Sequence, residues 1–309
     1  MNITLSKLFV FILLGGLFSC IQNLQAQQDS QYTQYMYNTV SVNPAYAGTR
    51  GSLSMLGVYR NQWVGLDGAP ETLNFAVHSP IGVQGVGVGL GFTSDKIGPS
   101  TESIITADFS YTINFSEVTK LSFGVKGGLS LLDLDPNKLL IYDPNDYDLT
   151  QKSYSSPIVG AGLYLHSEDW YLGFSSPNLL ETEHYDDVQV STATEKTHLY
   201  FIGGYVFSIN SNLQLKPAVL AKGVVGAPLA VDVSANALLY NRITFGLAYR
   251  LDAAVSGMAG FQVNENIMIG YAYDYDTTDL GNYNSGSHEI FLRFELGTKR
   301  MAKVNPRFF

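Results

Sequence analysis

Charged residues are scarce in this 309-residue chain: they make up 15% of it, against roughly 25% in an average soluble domain. A surface with so little charge indicates that something other than water covers much of it. The 18 basic and 27 acidic residues leave a formal net charge of −9. Because a nucleic-acid binder needs a basic surface to neutralise phosphates, we expect no nucleic-acid partner.

Cysteine is represented by Cys20 alone. One cysteine cannot form an internal disulfide, and it cannot assemble a thiolate metal site or an iron–sulfur cluster. The sequence also lacks the HExxH, GxSxG and Walker patterns, and its five histidines have no metal-ligand spacing. We therefore predict that the protein is not an enzyme and has no cofactor or metal.

Long apolar runs are missing beyond the N-terminus, so a helical membrane protein is not expected. At the N-terminus, Lys7 precedes an apolar run from Leu8 to Phe18 and a cleavage signal at 24–26. This order is typical of a secretory signal peptide, here residues 1–26, because the run is too short to span a bilayer. Lipid attachment at Cys20 is the alternative that the sequence leaves open.

Glycine, tyrosine and phenylalanine are abundant, with 30, 20 and 17 residues, and this composition favours strands and turns. Apolar and polar residues alternate with period two in several segments. In 105–113, for example, Phe109 and Tyr111 alternate with Asp108 and Ser110. The same alternation recurs at 229–239, 243–251, 267–275 and 290–296. It predicts strands with one apolar and one polar face.

Such strands fit a β-sandwich with an apolar interior, or a transmembrane β-barrel with lipid outside and a polar lumen. Length favours the barrel, because these strands run about 9 to 11 residues, as a tilted membrane-spanning strand must. The sequence thus predicts an all-β, antiparallel transmembrane barrel of about 14 strands over residues 53–296. The predicted strands are 53–63, 72–80, 83–93, 103–114, 120–132, 156–166, 170–176, 198–209, 213–223, 229–240, 242–251, 253–263, 267–275 and 288–296.

The lengths of the connections predict the orientation. An even number of strands brings both barrel ends to one side, and in bacterial outer-membrane barrels that side is the periplasm and carries short turns. The longest connections, 133–155, 177–197 and 276–287, all follow odd-numbered strands. We therefore expect a protein of the bacterial outer membrane, with its long loops outside the cell and outer-membrane lipid around it.

Two segments flank the predicted barrel. Residues 27–52 are rich in tyrosine and are expected to form a periplasmic N-terminal segment that closes the mouth of the barrel or plugs its lumen. Residues 297–309 contain four basic residues and no acidic one. They are expected to form a basic periplasmic tail, which is either a docking peptide or a frayed end.

Charged residues on the polar faces of the strands are predicted to line the lumen. They are Asp108, Lys126, Asp232, Arg250, Glu289 and Arg293. They could contact a solute or form a proton path. The alternative is that they pair with one another and fill the lumen, since buried charges need partners.

Two further features have a functional and a structural interpretation. In loop 133–155, carboxylates and an amide could ligate calcium, but the glycine and final glutamate of an EF-hand loop are missing, and the alternative is a solvated acidic turn. These residues are Asp143, Asn145, Asp146 and Asp148.

The glycines at alternate positions of 85–91 lack the lysine of a phosphate-binding loop, so we expect them to relieve crowding or permit curvature inside the barrel.

The chain resembles the PorP/SprF family of type IX secretion system outer-membrane proteins over essentially its whole mature length. The motifs that carry the resemblance are Asn43-Pro44-Ala45-Tyr46-Ala47-Gly48, Tyr59-Arg60-Asn61-Gln62-Trp63, Gly68-Ala69-Pro70-Glu71-Thr72 and the ending Asn305-Pro306-Arg307-Phe308-Phe309. The matched positions that it implies as candidate binding residues are Asn43, Pro44, Gly48, Arg60, Trp63, Pro70, Pro306, Arg307, Phe308 and Phe309.

The resemblance implies a function without catalysis. It implies a component of the type IX secretion and gliding machinery of Bacteroidota-type bacteria that assists export or surface attachment of a specific cargo protein. The implied partners are a secreted cargo or adhesin and periplasmic secretion components or a peptidoglycan-binding protein. A porin-like solute channel is the alternative, because about 14 strands lie between the roughly 8 that side chains can fill and the 16 to 18 that leave a pore.

Overall fold

Antiparallel strands dominate the computed structural model, which describes residues 32–82, 85–135, 152–180, 182–183, 194–224 and 227–296. The barrel strands of this part of the chain are β1 (Leu53–Asn61), β2 (Glu71–Pro80), β3 (Val86–Ile97), β4 (Ser100–Asn114), β5 (Lys120–Leu134), β6 (Lys152–His166), β7 (Trp170–Ser176), β8 (His198–Tyr205, resumed at Phe207–Asn210), β9 (Leu213–Val224), β10 (Ala230–Leu239), β11 (Ile243–Arg250), β12 (Ala254–Gln262), β13 (Ile267–Asp276) and β14 (Ser287–Leu296).

The sheet closes on itself. Each strand is antiparallel to the next, and β14 pairs with β1 from Leu296 opposite Leu53 to His288 opposite Asn61. β8 pairs with both β7 and β9, so the ring is continuous there as well. A closed ring has no unpaired edge, which is the condition for strands to span a bilayer. The predicted closed antiparallel barrel of fourteen strands is therefore confirmed.

Apolar side chains cover the outside of the barrel, and polar ones face its lumen. Phe109 is 48% exposed, whereas its neighbour Ser110 is fully buried. In β10, Val233 is 47% exposed and Ser234 is 4% exposed. This arrangement is the reverse of a soluble protein, and it agrees with the predicted barrel that has lipid outside and a polar lumen.

Several strand boundaries differ from the predicted ones. β4, β5 and β6 each have 15 residues, because pairing continues past the apolar band up to Leu134 opposite Ser100. The predicted strand 198–209 is interrupted at Val206, whose N–H donates to Asp169 O in the turn before β7 at 2.7 Å. Hydrophobic alternation does not register either effect, since both depend on where hydrogen-bond partners lie.

Short turns and long loops segregate to opposite ends of the barrel. Even-numbered strands are followed by connections of at most five residues, whereas the connections 135–151, 177–197 and 277–286 follow odd-numbered strands. We name these two ends the turn end and the loop end. Leu53 and Leu296, where the barrel starts and finishes, both lie at the turn end.

Helices are short in the described residues: α1 (Thr39–Val42) and the 3-10 helices Pro44–Tyr46 and Asp279–Asn282. No helix in this part of the chain has the length and apolar character to cross a membrane. A ribbon of Thr182–Glu183 with Thr194–Glu195 lies in the loop after β7. The predicted signal peptide, the calcium candidates Asp143 to Asp148 and the basic tail fall outside the described residues.

We predict that Val233→Lys destabilises the barrel by about 2 to 4 kcal/mol, because it places an ammonium group in hydrocarbon near the middle of β10. Urea unfolding of the barrel refolded into lipid vesicles measures this loss. Thr106→Lys is the matched control, since Thr106 is buried on the lumenal face beside Asp108. A larger loss for Thr106→Lys than for Val233→Lys would mean that the two faces are assigned the wrong way round.

Candidate functional site: a segment of the chain inside the lumen

The lumen contains residues 32–52 of the same chain, which we name the inner segment. Tyr35, Met36, Ala45 and Tyr46 are buried and pack against the inner face of the strands. Hydrogen bonds join the inner segment to β13 and β14 on one wall and to β6 and β7 on the opposite wall. The inner segment therefore bridges the cross-section of the barrel.

The path of the inner segment runs along the barrel axis. Thr33 lies at the level of Arg60, close to the loop end, and Arg50 reaches the turn end, where β1 begins. The sequence led us to expect a periplasmic segment or a plug at 27–52, and residues 32–52 lie within the barrel over much of its height. Residues 27–31 are not among those described, so the boundaries of this unit stay a prediction.

An ionic cluster near the loop end holds the start of the inner segment. Glu289 accepts hydrogen bonds from the backbone N–H groups of Thr33 and Gln34, both at 2.9 Å. Arg60 contacts Glu289 at 3.1 Å and Asp274 at 2.7 Å. The Thr33 hydroxyl accepts from Arg60 Nη1 at 2.9 Å and lies 2.6 Å from Asp274 Oδ2. We name these five residues the Arg60 cluster.

Because the Arg60 cluster is buried, it strongly constrains the position of the inner segment. Arg60, Asp274 and Glu289 are exposed by 1%, 4% and 0%. Two carboxylates share one guanidinium, so the second negative charge is balanced by hydrogen bonds from the inner segment. Displacing the inner segment would leave Glu289 with unmet hydrogen-bonding capacity inside the barrel.

A group of glycines makes room for the middle of the inner segment. A Cβ atom at Gly124 would overlap the backbone nitrogen of Ala45, and one at Gly87 would overlap the carbonyl oxygen of Ala47. A Cβ atom at Gly162 of β6 would overlap the side-chain oxygen of Asn43, and one at Gly173 of β7 would meet the side chains of Ile202 and Asn43. We name Gly87, Gly124, Gly162 and Gly173 the glycine seat. Any larger residue there would push the inner segment away from the wall.

Three motif positions shape the turn that occupies the glycine seat. Asn43 Oδ1 accepts the backbone N–H two residues later at 3.0 Å, and its Nδ2 donates to Leu163 O at 2.9 Å. Pro44 starts the 3-10 helix. Gly48 has a φ of +72°, and its N–H donates to His78 Nδ1 at 3.2 Å. Because this imidazole nitrogen accepts, it carries no proton in that contact.

The six predicted lumenal charges are all in the barrel interior or at its wall. Lys126 contacts Asp108 at 3.0 Å and Arg250 contacts Asp232 at 2.9 Å, each pair directly across two neighbouring strands. Glu289 belongs to the Arg60 cluster. The remaining one, Arg293, contacts the sulfur of Met268 at 3.1 Å and the ring of Tyr37. A contact of these residues with a solute or a proton stays a prediction.

The other motif positions lie elsewhere. The Trp63 N–H donates to Ser287 Oγ at 3.2 Å, and Pro70 O accepts from Gln62 N at 2.9 Å, so both belong to the β1–β2 connection at the loop end. The structure does not bring them to the turn at Asn43. Pro306, Arg307, Phe308 and Phe309 are outside the described residues.

Sequence reasoning missed part of this site. Alternation places Asp274 on the polar face of its strand, but nothing in the sequence indicates its partner Thr33. Tyr164, Tyr171 and Tyr200 form buried contacts with the inner segment on a face that was expected to be polar. Gly124 sits at a lumenal position of β5, and a glycine on that face was the available signal.

A cavity of about 140 Å³ lies between the inner segment and strands β2 to β6. Its lining includes Tyr32 and Val40 of the inner segment, Asn74, and the Asp108–Lys126 pair. Burial raises the pKa of the Tyr32 phenol above its ordinary value, so this group is neutral at physiological pH. Across the described residues, no three side chains of His, Cys, Asp or Glu come together as metal ligands would.

Comparison with known proteins gives a family match and a fold match. A family profile described as "Type IX secretion system membrane protein PorP/SprF" matches residues 24–294. No curated protein matches the chain. Among solved structures, the CymD monoaromatic hydrocarbon channel is 11% identical, with 89% of this chain and 95% of that chain covered and a TM-score of 0.50.

Another similar structure is the outer membrane protein Omp33 of Acinetobacter baumannii. It is 9% identical, with 80% of this chain and 99% of that chain covered and a TM-score of 0.44. At these identities the likeness to CymD indicates the barrel fold alone, and the Omp33 score is too low to support an argument.

We predict that Gly124→Ala loosens the inner segment, because the added methyl group overlaps backbone and not a flexible side chain. The expected cost is about 1 to 3 kcal/mol. Gly127→Ala on the same strand is the control, since nothing lies within 4 Å of its Cβ position. Limited proteolysis of the folded barrel, read at residues 32–52, measures the effect; equal cleavage of the two variants would contradict the proposed close approach.

We predict that Glu289→Gln releases the start of the inner segment, since an amide nitrogen would face the N–H donors of Thr33 and Gln34 and Arg60 would lose an ion pair. Breaking a buried pair costs about 3 to 5 kcal/mol. Hydrogen exchange of the Thr33 and Gln34 amides should accelerate at least about a hundredfold. Glu265→Gln, in an exposed turn, should leave their exchange unchanged.

Proposed function

Because the chain belongs to the PorP/SprF family of type IX secretion system membrane proteins, we propose that it assists export or surface attachment of one specific cargo protein. Its location is the outer membrane, and its barrel is a component of the secretion machinery and not an enzyme. The proposed work is binding: the barrel holds cargo and machinery in place, and gliding adhesins are one class of cargo that fits this role.

The lumenal inner segment is the observation that carries this proposal. It contacts opposite walls of the barrel, and its turn fits a seat that tolerates no side chain. A barrel in this state does not offer a polypeptide-sized pore. We therefore place cargo contact on the surface of the loop end and not inside the barrel.

The two ends of the barrel have different proposed partners. We assign the turn end to the periplasm, because short turns and both barrel termini lie there. Periplasmic secretion components or a peptidoglycan-binding protein would contact this end and the basic tail at 297–309. The loop end, with the connections 135–151, 177–197 and 277–286, would face the cell exterior and bind the cargo.

A solute channel is the second candidate function. The cavity of about 140 Å³ next to the inner segment favours it. This alternative requires the inner segment to move, because the cross-section is occupied while it stays in the glycine seat.

Planar-bilayer recordings of the purified barrel distinguish the two functions. For the secretion role we expect a silent wild type and current only in a variant with a displaced inner segment, such as Gly124→Ala. Gly127→Ala should be as silent as the wild type. A steady open-channel current in the wild type, blocked by a transported solute, would favour the channel instead.

We predict that the basic tail contributes to periplasmic binding. Replacing Lys299, Arg300, Lys303 and Arg307 by glutamine removes four positive charges and should reduce co-purification of periplasmic partners from native membranes, measured by mass spectrometry. Association with the cargo should persist, since it is assigned to the loop end. Unchanged capture of periplasmic partners would remove the docking role of the tail, while loss of all partners would indicate misfolding.

A further inference from the structure

Basic side chains gather in the turn-end half of the lumen, where the proposed secretion role does not use them. Arg50 of the inner segment, Arg293 of β14 and Lys216 of β9 lie near one another there, and Lys216 Nζ lies 3.6 Å from the sulfur of Met36 in the inner segment. Among the described residues, the acid that accompanies them is Glu295, which forms an ion pair with Arg50. Three basic side chains and one acidic side chain thus share a largely buried space.

Arg293 is the member of this group whose surroundings do not match its charge. The residue is 5% exposed. Its Nη2 lies 3.1 Å from the thioether sulfur of Met268, and its guanidinium carbon is 5.7 Å from the centre of the Tyr37 ring. Its Nη1 is buried and has no hydrogen-bond partner among the described residues. A thioether is a weak acceptor, and a buried cation without a carboxylate is costly.

The other lumenal cations named above are compensated differently. Arg60, Lys126 and Arg250 each contact a carboxylate at 2.7 to 3.1 Å. Near Arg293 the nearest candidate carboxylate, Glu295, is already paired with Arg50. The missing partner is therefore a local property of the turn-end half and not a general feature of this lumen.

We propose that Arg293, with Arg50 and Lys216 beside it, forms a binding site for an oxyanionic group, a carboxylate or a phosphate, that enters from the turn end. A guanidinium presents its N–H donors in a plane that fits the paired oxygens of either group. Glu295 marks the entrance, since 21% of its side chain is exposed. The secretion role is not a premise of this site.

Glu295 is expected to act as an internal competitor of the bound group. It occupies Arg50 and adds a negative charge beside the place where the oxyanion would bind. Removing that charge should strengthen binding, whereas removing the charge of Arg293 should abolish it. Two neighbouring substitutions on one strand thus have opposite expected effects, which a purely structural role for either residue does not explain.

The experiment measures thermal unfolding of the full mature barrel in neutral detergent, by the heat-dependent shift in electrophoretic migration. Sodium phosphate, and separately a short peptide with a free terminal carboxylate, are titrated at constant ionic strength against chloride. The same peptide with an amidated end is the control for the carboxylate. Because phosphate also stabilises proteins non-specifically, the quantity compared is the difference between the wild type and Arg293→Met at each concentration.

We expect Glu295→Gln to lower the apparent dissociation constant about threefold or more, and Arg293→Met to raise it at least about tenfold. Met fills the site without a charge, so Arg293→Met should fold at least as stably as the wild type in chloride. Arg242→Gln, in an exposed turn at the same end, should change nothing. Response to phosphate alone or to the carboxylate peptide alone identifies the source of the oxyanion.

Equal responses of the wild type and Arg293→Met to both probes would overturn the proposal. Weaker binding by Glu295→Gln would overturn it too, because the carboxylate would then be part of the site and not its competitor. If Arg293→Met does not fold, Arg293→Lys provides the comparison: it keeps the charge but loses the planar donor pair, and it should bind the probes more weakly than the wild type.

Discussion

The bilayer imposes the constraint on which this structure depends: no water is available in its core, so every backbone N–H and C=O group of a spanning strand needs a partner in the protein. Pairing of β14 with β1 meets this demand by closing the sheet. Closure creates a second requirement, because a ring of this size encloses more space than side chains of its wall can fill. The inner segment occupies that space, and its own backbone then needs partners as well. Ser110 and Ser175 supply them by donating to Ala47 O and Val42 O, each at 2.7 Å.

Two different means hold the inner segment at its two levels. At the Arg60 cluster, the inner segment is held by charge: the buried carboxylate of Glu289 accepts hydrogen bonds from two backbone N–H groups and pairs with the Arg60 guanidinium. At the glycine seat, the inner segment is held by the shape of the wall, which lacks side chains where the turn at Asn43 to Gly48 lies. Charge attracts over a distance but tolerates some displacement, whereas the seat attracts little but fixes position. The combination explains how a short segment with little regular structure takes one defined path through a wide barrel.

The fold could be predicted from the sequence because lipid imposes a simple rule, alternate residues in and out, which residues such as Val233 and Ser234 obey locally. The lengths of the connections also predicted which end of the barrel carries the short turns and which carries the long loops, because these lengths are local features of the sequence. The site was harder. Contacts such as Thr33 with Asp274 join residues that are 241 positions apart, and no period in the sequence encodes them. The lumenal charges were identified from the sequence. Their pairing was not, because strand register decides that Asp108 and Asp232 each lie opposite a cation, whereas Arg293 has no carboxylate opposite it.

The distribution of charge along the lumen gives the inner segment a further physical meaning. Toward the loop end, acidic residues prevail, with Asp95, Asp232, Asp274 and Glu289 against Arg60, Lys222 and Arg250. Toward the turn end, Arg50, Lys216 and Arg293 stand against Glu295. Low-dielectric walls strengthen such fields. The two halves of the lumen therefore differ in composition, with more acidic residues toward the loop end and more basic residues toward the turn end. A pore selected for one kind of ion would be expected to carry one sign of charge along its length, so this polarity is more consistent with two binding surfaces facing different compartments than with a single conduit.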